Sequence, residues 1–92
     1  MTTAKAPTYL EVSGDGAARA IEDAGQKLAS EEELTLDFSR VARIDPGALR
    51  ALEALALAAE EKSAKVALRS VNVAVYKVLT LARLTSRFSF ES

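Results

Sequence analysis

The feature that most constrains this chain is a hydrophobic period that switches between two values along its length. Alternation with a period of two marks strands, and recurrence near 3.6 marks amphipathic helices. Thr8–Ser13 alternates, with Leu10 and Val12 on one face and Tyr9, Glu11 and Ser13 on the other. Gly14-Asp15-Gly16 breaks the pattern. Residues 17–29 then read as a helix, with Ala17, Ile21, Ala24 and Leu28 on its apolar stripe. Residues 34–39 alternate again, and residues 40–44 connect them to Asp45-Pro46. An aspartate N-cap followed by proline at the first helical position is a strong helix start. The spacing predicts a helix from there to Glu61, burying Leu49, Leu52, Leu55, Ala56 and Ala59. Lys65–Arg69 is the third strand. Asn72 is placed to cap a third helix over 73–83, burying Val75, Val78, Leu79 and Ala82. Residues 87–91 close the chain as a fourth strand, with Phe88 and Phe90 on one face.

The order βαβαβαβ calls for a mainly parallel sheet. Parallel strands covered on both faces are apolar on both sides. All four strands here alternate, so helices are expected on one face only. Crossovers are nearly always right-handed, and keeping every helix on one side makes the sheet grow in one direction. The expected fold is therefore two-layer α/β: a four-stranded parallel sheet in sequential order, with the helices on one face. Such a sheet has no topological switch point of the kind that receives a dinucleotide. Residues 1–7 read as a flexible N-terminus and residues 8–92 as one domain.

Composition narrows the chemistry further. The chain has 92 residues and contains neither cysteine nor histidine. Thiolate metal sites and disulfides are thereby excluded, as are the commonest general base, zinc ligand and pH switch. A net charge of −1 gives no general attraction to nucleic acid or to an anionic membrane. The N-terminal residues lack the apolar run of a signal peptide, and no apolar stretch is long enough to span a bilayer. A cytoplasmic protein without direct membrane insertion is expected, with no cofactor.

Four features are candidates for sites. Gly14-Asp15-Gly16 lies between strand and helix, but Asp15 sets negative charge where a phosphate would sit and no phosphate-loop motif is completed. A plain turn is the better reading. Asp37 and Asp45 both fall near the C-terminal edge of the sheet, where paired carboxylates can hold a cation or do acid–base work. The simpler assignment makes Asp45 a helix cap and leaves Asp37 on the open face near Arg40 or Arg43. Arg40, Arg43 and Arg50 gather around the start of the second helix. They either form a basic rim for an acidic partner or a phosphate, or they balance Asp37, Asp45 and Glu53. Leu57 falls off the buried stripe of the same helix, beside Arg50, Glu53 and Ala54, which suggests a binding patch.

The segment 34–52, LTLDFSRVARIDPGALRAL, resembles the signature of STAS domains (sulfate transporter and anti-sigma factor antagonist). Their pattern is an apolar strand ending in Asp-[Leu/Phe]-Ser, then a valine spacer, then Ile-Asp-Ser-[Ser/Thr]-Gly-Leu-x-x-Leu opening a helix. Asp37, Ser39, Val41, Ile44, Asp45, Leu49 and Leu52 match it without a gap. Residues 71–90 resemble the family's third helix, turn and last strand. The resemblance implies a non-enzymatic regulatory domain that binds a protein partner such as an anti-sigma factor or a kinase-like regulator. It places the partner surface on Arg43, Asp45, Pro46, Gly47, Arg50, Ala54 and Leu57.

One departure bears directly on regulation. The hydroxyl residue that antagonists present for phosphorylation corresponds to Gly47, preceded by Pro46 and followed by Ala48 in place of the motif glycine. A phospho-switch has no acceptor at that position, and the nearby hydroxyls of Thr35 and Ser39 lie in a strand. Family members also serve as accessory subunits of ABC lipid transporters and as pieces of stress-signalling assemblies, which is the alternative role. Many begin with a hairpin for which only Thr8–Ser13 is available here. That leaves a sheet edge open to a partner or to a second copy.

Overall fold

In a computed structural model of the protein, residues 8–13 and 16–91 are described. The elements run β1 (Thr8–Ser13), α1 (Ala17–Gln26), β2 (Glu33–Arg40), α2 (Pro46–Glu61), β3 (Lys65–Arg69), α3 (Val73–Leu81) and β4 (Ser89–Glu91). The four strands form one sheet in the order β1-β2-β3-β4, and every pairing is parallel. The expected fold class, strand order and element sequence are all observed.

Alternation decides which way each strand faces. Leu10 pairs with Leu36, and Leu36 with Leu68, so one face carries an apolar row across the sheet. Val12, Leu34, Leu36, Phe38, Val66 and Leu68 are buried on that face, against Ile21, Leu52, Leu55, Val75 and Leu79 from the helices. The two halves meet as complementary apolar surfaces, and removing them from water is the main stabilising contribution. α1 rests on α2 at Gly25, where a Cβ would lie 3.6 Å from Leu55 Cδ1. The opposite face carries Tyr9, Glu11, Thr35, Asp37 and Arg69, and no described helix covers it.

The ends of elements differ from the sequence reading where tertiary contacts intervene. α1 stops at Gln26 rather than 29, with the Lys27 N–H turning back to Asp23 O and the Leu28 N–H to Gly25 O. Leu28 is still buried, but in a turn. Its carbonyl accepts from Lys62 Nζ at 2.6 Å, and the Glu32 carboxylate accepts from Ala29 N at 2.8 Å. Lys62, distant in the chain, thus satisfies the Leu28 carbonyl, and the nearby Glu32 satisfies an Ala29 N–H that a longer helix would have paired internally. β2 gains one residue at each end because Glu33 pairs with Lys65 and Arg40 with Ser13. α3 ends at Leu81, with Arg83 at φ 62° and Leu84 N donating to Leu79 O at 2.9 Å. β4 begins at Ser89 because Arg87 N closes a turn onto Leu84 O at 3.0 Å. Phe88 is buried from that turn rather than from a strand. The proposed flexible N-terminus, residues 1–7, and Gly14-Asp15 of the proposed turn lie outside the described residues.

Candidate functional site

The site is built on the exit from β2. Val41 N donates to Phe38 O at 2.9 Å, and Val41 is buried, so the chain turns sharply off the strand. Ala42 and Arg43 are exposed and Ile44 is half-buried. Asp45 then takes an extended backbone, φ −88° and ψ 169°, and its Oδ1 accepts from Ala48 N at 2.7 Å. Its own carbonyl accepts from Leu49 N at 3.0 Å, the first backbone bond of α2. Pro46 occupies the first turn, where its missing N–H costs nothing.

α2 divides its faces cleanly. Ala48, Ala51, Leu52, Leu55, Ala56 and Ala59 are buried, and Leu49 is half-buried against the core. Gly47, Arg50, Ala54 and Leu57 are exposed, and Leu57 keeps 57% of its surface. Their spacing of three, four and three residues makes one continuous stripe. Arg43 stands on the loop just before it. The expected contact residues therefore share one surface, running from the helix start to the middle of α2.

The arginines separate into two groups. Arg40 Nε lies 3.7 Å from Glu11 on β1, away from the α2 stripe. Among the described residues, neither Arg43 nor Arg50 makes an ion pair. They remain as positive charges beside a helix N-terminus, which adds partial positive charge of its own.

The two aspartates have separate assignments. Asp45 is committed to its cap. Asp37 is buried on the open face, accepting from Tyr9 Oη and, at 2.8 Å, from Ser39 N. The Tyr9 hydroxyl bond holds the Asp37 carboxyl below the ordinary value of 3.8, helped by the Ser39 bonds and the charge of Arg69. The same bond raises the Tyr9 phenol above 10.0. Among the described residues there is no group of three or more acids able to hold a metal ion.

The sign of the pH effect follows from the Asp37 shift. A carboxyl whose folded value is depressed contributes stability that is present above its unfolded value and lost as pH falls through the folded value. We therefore expect wild type to lose stability on acidification below 3.8 more steeply than Tyr9→Phe, which lacks the hydroxyl donor. Urea titrations of both proteins at neutral and acid pH measure this, and parallel losses would contradict the assignment.

Two features escape sequence reading. Asn72 caps α3 as expected, its Oδ1 accepting from Val75 N at 2.8 Å. Its Nδ2 also donates to Val41 O at 3.3 Å and to Ala42 O at 3.1 Å. One side chain thus ties the α3 start to the loop that carries Arg43. The second feature is the outer face of α3, where Val73 and Leu81 keep 71% and 85% of their surface and Tyr76 keeps 46%. Tyr76 meets Phe90 edge-on, with centroids 5.2 Å apart. The signal lies in residues 73–82, VAVYKVLTLA, which are apolar nearly all round, so that burying one stripe must expose another. Leu57 also lines a notch of about 360 Å³ with Ala82, Arg83, Leu84 and Arg87, so it is not an isolated surface leucine.

Comparison with known proteins agrees with this architecture. No curated protein sequence gives a significant match. A solved structure from Thermotoga maritima, a candidate anti-sigma factor antagonist, is similar with a TM-score of 0.70 and 20% identity. The likeness covers 90% of this chain and 73% of that one. A sulfate transporter family protein from Wolinella succinogenes is similar with a TM-score of 0.72 and 20% identity, over 94% of this chain and 80% of that one. At such identity these likenesses bear on the fold alone. The sequence model of a STAS family described as "Mlab, STAS domain" matches residues 2–88, nearly the whole chain. With the fold, the capped α2 start and this match in agreement, the chain belongs to the STAS domain family.

Proposed function

We propose that this protein is a non-enzymatic regulatory domain of the anti-sigma factor antagonist type, acting in the cytoplasm by binding a protein partner. The observation that carries this reading is the α2 stripe: Gly47, Arg50, Ala54 and Leu57 exposed in line, with Arg43 before them and two arginines unpaired among the described residues. An apolar centre beside a basic rim suits a partner with an acidic surface and an apolar socket. The partner is an anti-sigma factor or a related kinase-like regulator, and no nucleic acid is involved. Among the described residues no helix is long and apolar enough to cross a membrane.

Gly47 makes the domain non-phosphorylatable at the family's regulatory position. Space does not dictate a glycine there. A Cβ at Gly47 would meet Asp45 Oδ1 at 3.5 Å and Ala18 Cβ at 3.7 Å, which are ordinary contacts, and its φ is not in the left-handed region. A serine would fit, so the difference is one of chemistry: no hydroxyl is offered to a kinase. The domain is then constitutively competent to bind, and is controlled by its amount or its assembly.

The test is affinity capture from the native lysate, comparing wild type with Arg50→Glu/Leu57→Asp. Both residues are exposed, so the fold should persist while recovery of the partner drops at least about tenfold. Equal recovery of the same partners by both proteins would show that this surface is wrong. Incubation with the cognate kinase followed by intact-mass measurement should add no phosphate to wild type.

A second reading, a fixed subunit of a larger complex such as an ABC lipid transporter or a stress-signalling assembly, is favoured by the outer face of α3. Val73, Tyr76 and Leu81 are the kind of apolar surface that permanent interfaces cover. Stoichiometric co-purification that survives Arg50→Glu/Leu57→Asp but not Leu81→Asp would select this role.

A further inference from the structure

We propose that the edge of β1 that no described strand covers, together with the flank of α1 beside it, is a two-fold interface with a second copy of this chain. The surface lies on the opposite side of α1 from α2, and the proposal stands independently of the partner-binding reading.

Three observations converge on this edge. First, β1 spans six residues and pairs on one side only, with β2, among the described strands. Its sequence, TYLEVS, contains no lysine or proline of the kind that protects an edge from pairing. The other edge strand, β4, spans only three residues. The single charge on β1, Glu11, is already met by Arg40 at 3.7 Å, so two copies would not bring unpaired acids together.

Second, an apolar notch of about 280 Å³ opens under α1 at this edge, walled by Leu10, Ala24, Leu28 and Leu34. A second copy laid along β1 would cover it. Third, Asp23 from α1 and Lys27 from its C-cap line the same notch, four residues apart. Both are exposed, and neither makes an ion pair among the described residues.

A two-fold axis makes these features complementary to themselves. Identical edges related by such an axis run antiparallel, the geometry in which strands exchange backbone hydrogen bonds directly. The same axis sets Asp23 of one copy against Lys27 of the other, and the reverse. Distances allow it: strands pair about 4.8 Å apart. With α1 over β1 and β2, the two α1 axes fall about 10 Å apart, an ordinary helix-packing distance. The small side chains Ala20 and Ala24 suit that approach.

The experiment is sedimentation equilibrium of the full chain, 9.8 kDa as a monomer, with charge-reversed variants. Wild type should approach twice the monomer mass as concentration rises. Asp23→Lys and Lys27→Asp should each weaken the dimer at least about tenfold, because each sets like charges across the axis. An equimolar mixture of the two variants should regain the dimer, since the two lysines on one copy then face the two aspartates on the other. Arg50→Glu/Leu57→Asp should leave the dimer unchanged, which separates this interface from the partner surface. The proposal is overturned by a wild type that stays monomeric, by dimers indifferent to the single reversals, or by a mixture that stays monomeric. If a reversal unfolds the domain, amide exchange across Thr8–Ser13 in wild type decides the matter. Protection that grows with concentration supports the interface, and protection independent of concentration overturns it.

Discussion

Phe38→Ala should destabilise the domain by about 3–5 kcal/mol, the range for removing a large side chain from a packed core. Phe38 is among the largest side chains fully inside the protein, and it sits on the covered face of the central strand β2. Truncation leaves a cavity that neither β2 nor the helices can close without breaking other contacts, because the strand is held on both sides by β1 and β3. Small domains hold only about 5–15 kcal/mol in total, so this one substitution removes a large share. In a chain of this length it should lower the melting temperature by roughly 12 °C or more. The loss also reaches the site, since the Phe38 carbonyl receives the Val41 N–H that turns the chain toward Arg43 and Asp45. Urea denaturation measures the effect. A loss below about 1 kcal/mol would mean that the packing around β2 is not as described.

The second large effect is expected at Asn72, where cap and tether can be separated. Asn72→Ala removes the α3 cap and both donors to the β2–α2 loop, and should cost about 2 kcal/mol. Asn72→Asp keeps an acceptor for Val75 N but turns the amide donor into a carboxylate facing the carbonyls of Val41 and Ala42. It should cost about half as much. Both variants should speed amide exchange in residues 41–44, because the loop loses its link to α3. If Asn72→Asp leaves stability and loop exchange unchanged, the tether contributes nothing and Asn72 is a cap alone. A rigid loop matters for binding because a surface already held in its bound shape loses less entropy on association. The Asn72 side chain, remote in sequence, ties down the loop that carries Arg43.

Much of this protein can be read from local pattern. The period switches locate all seven elements, and strands β1 and β3 and helix α2 begin and end where alternation and capping place them. The reason is physical: burial on one face imposes the period, and an Asp-Pro start satisfies a helix terminus from within four residues. Sheet order follows from one further inference, that strands apolar on only one side have helices on only one side. The candidate contact residues share a stripe because helical spacing alone puts them there. What local pattern could not supply was every interaction whose partner is distant in the chain. The early end of α1 depends on Lys62, and the burial of Asp37 depends on Tyr9. The Asn72 link joins residues about thirty positions apart. Proximity in sequence groups Arg40 with Arg43 and Arg50, and the fold draws it instead to Glu11 on the neighbouring strand. Sequence by itself determined the elements, their order and the helix start at Asp45, because those rest on periodicity and backbone capping. Only the tertiary structure decided which charges are paired and which stay unpaired among the described residues, because that depends on which strands lie side by side.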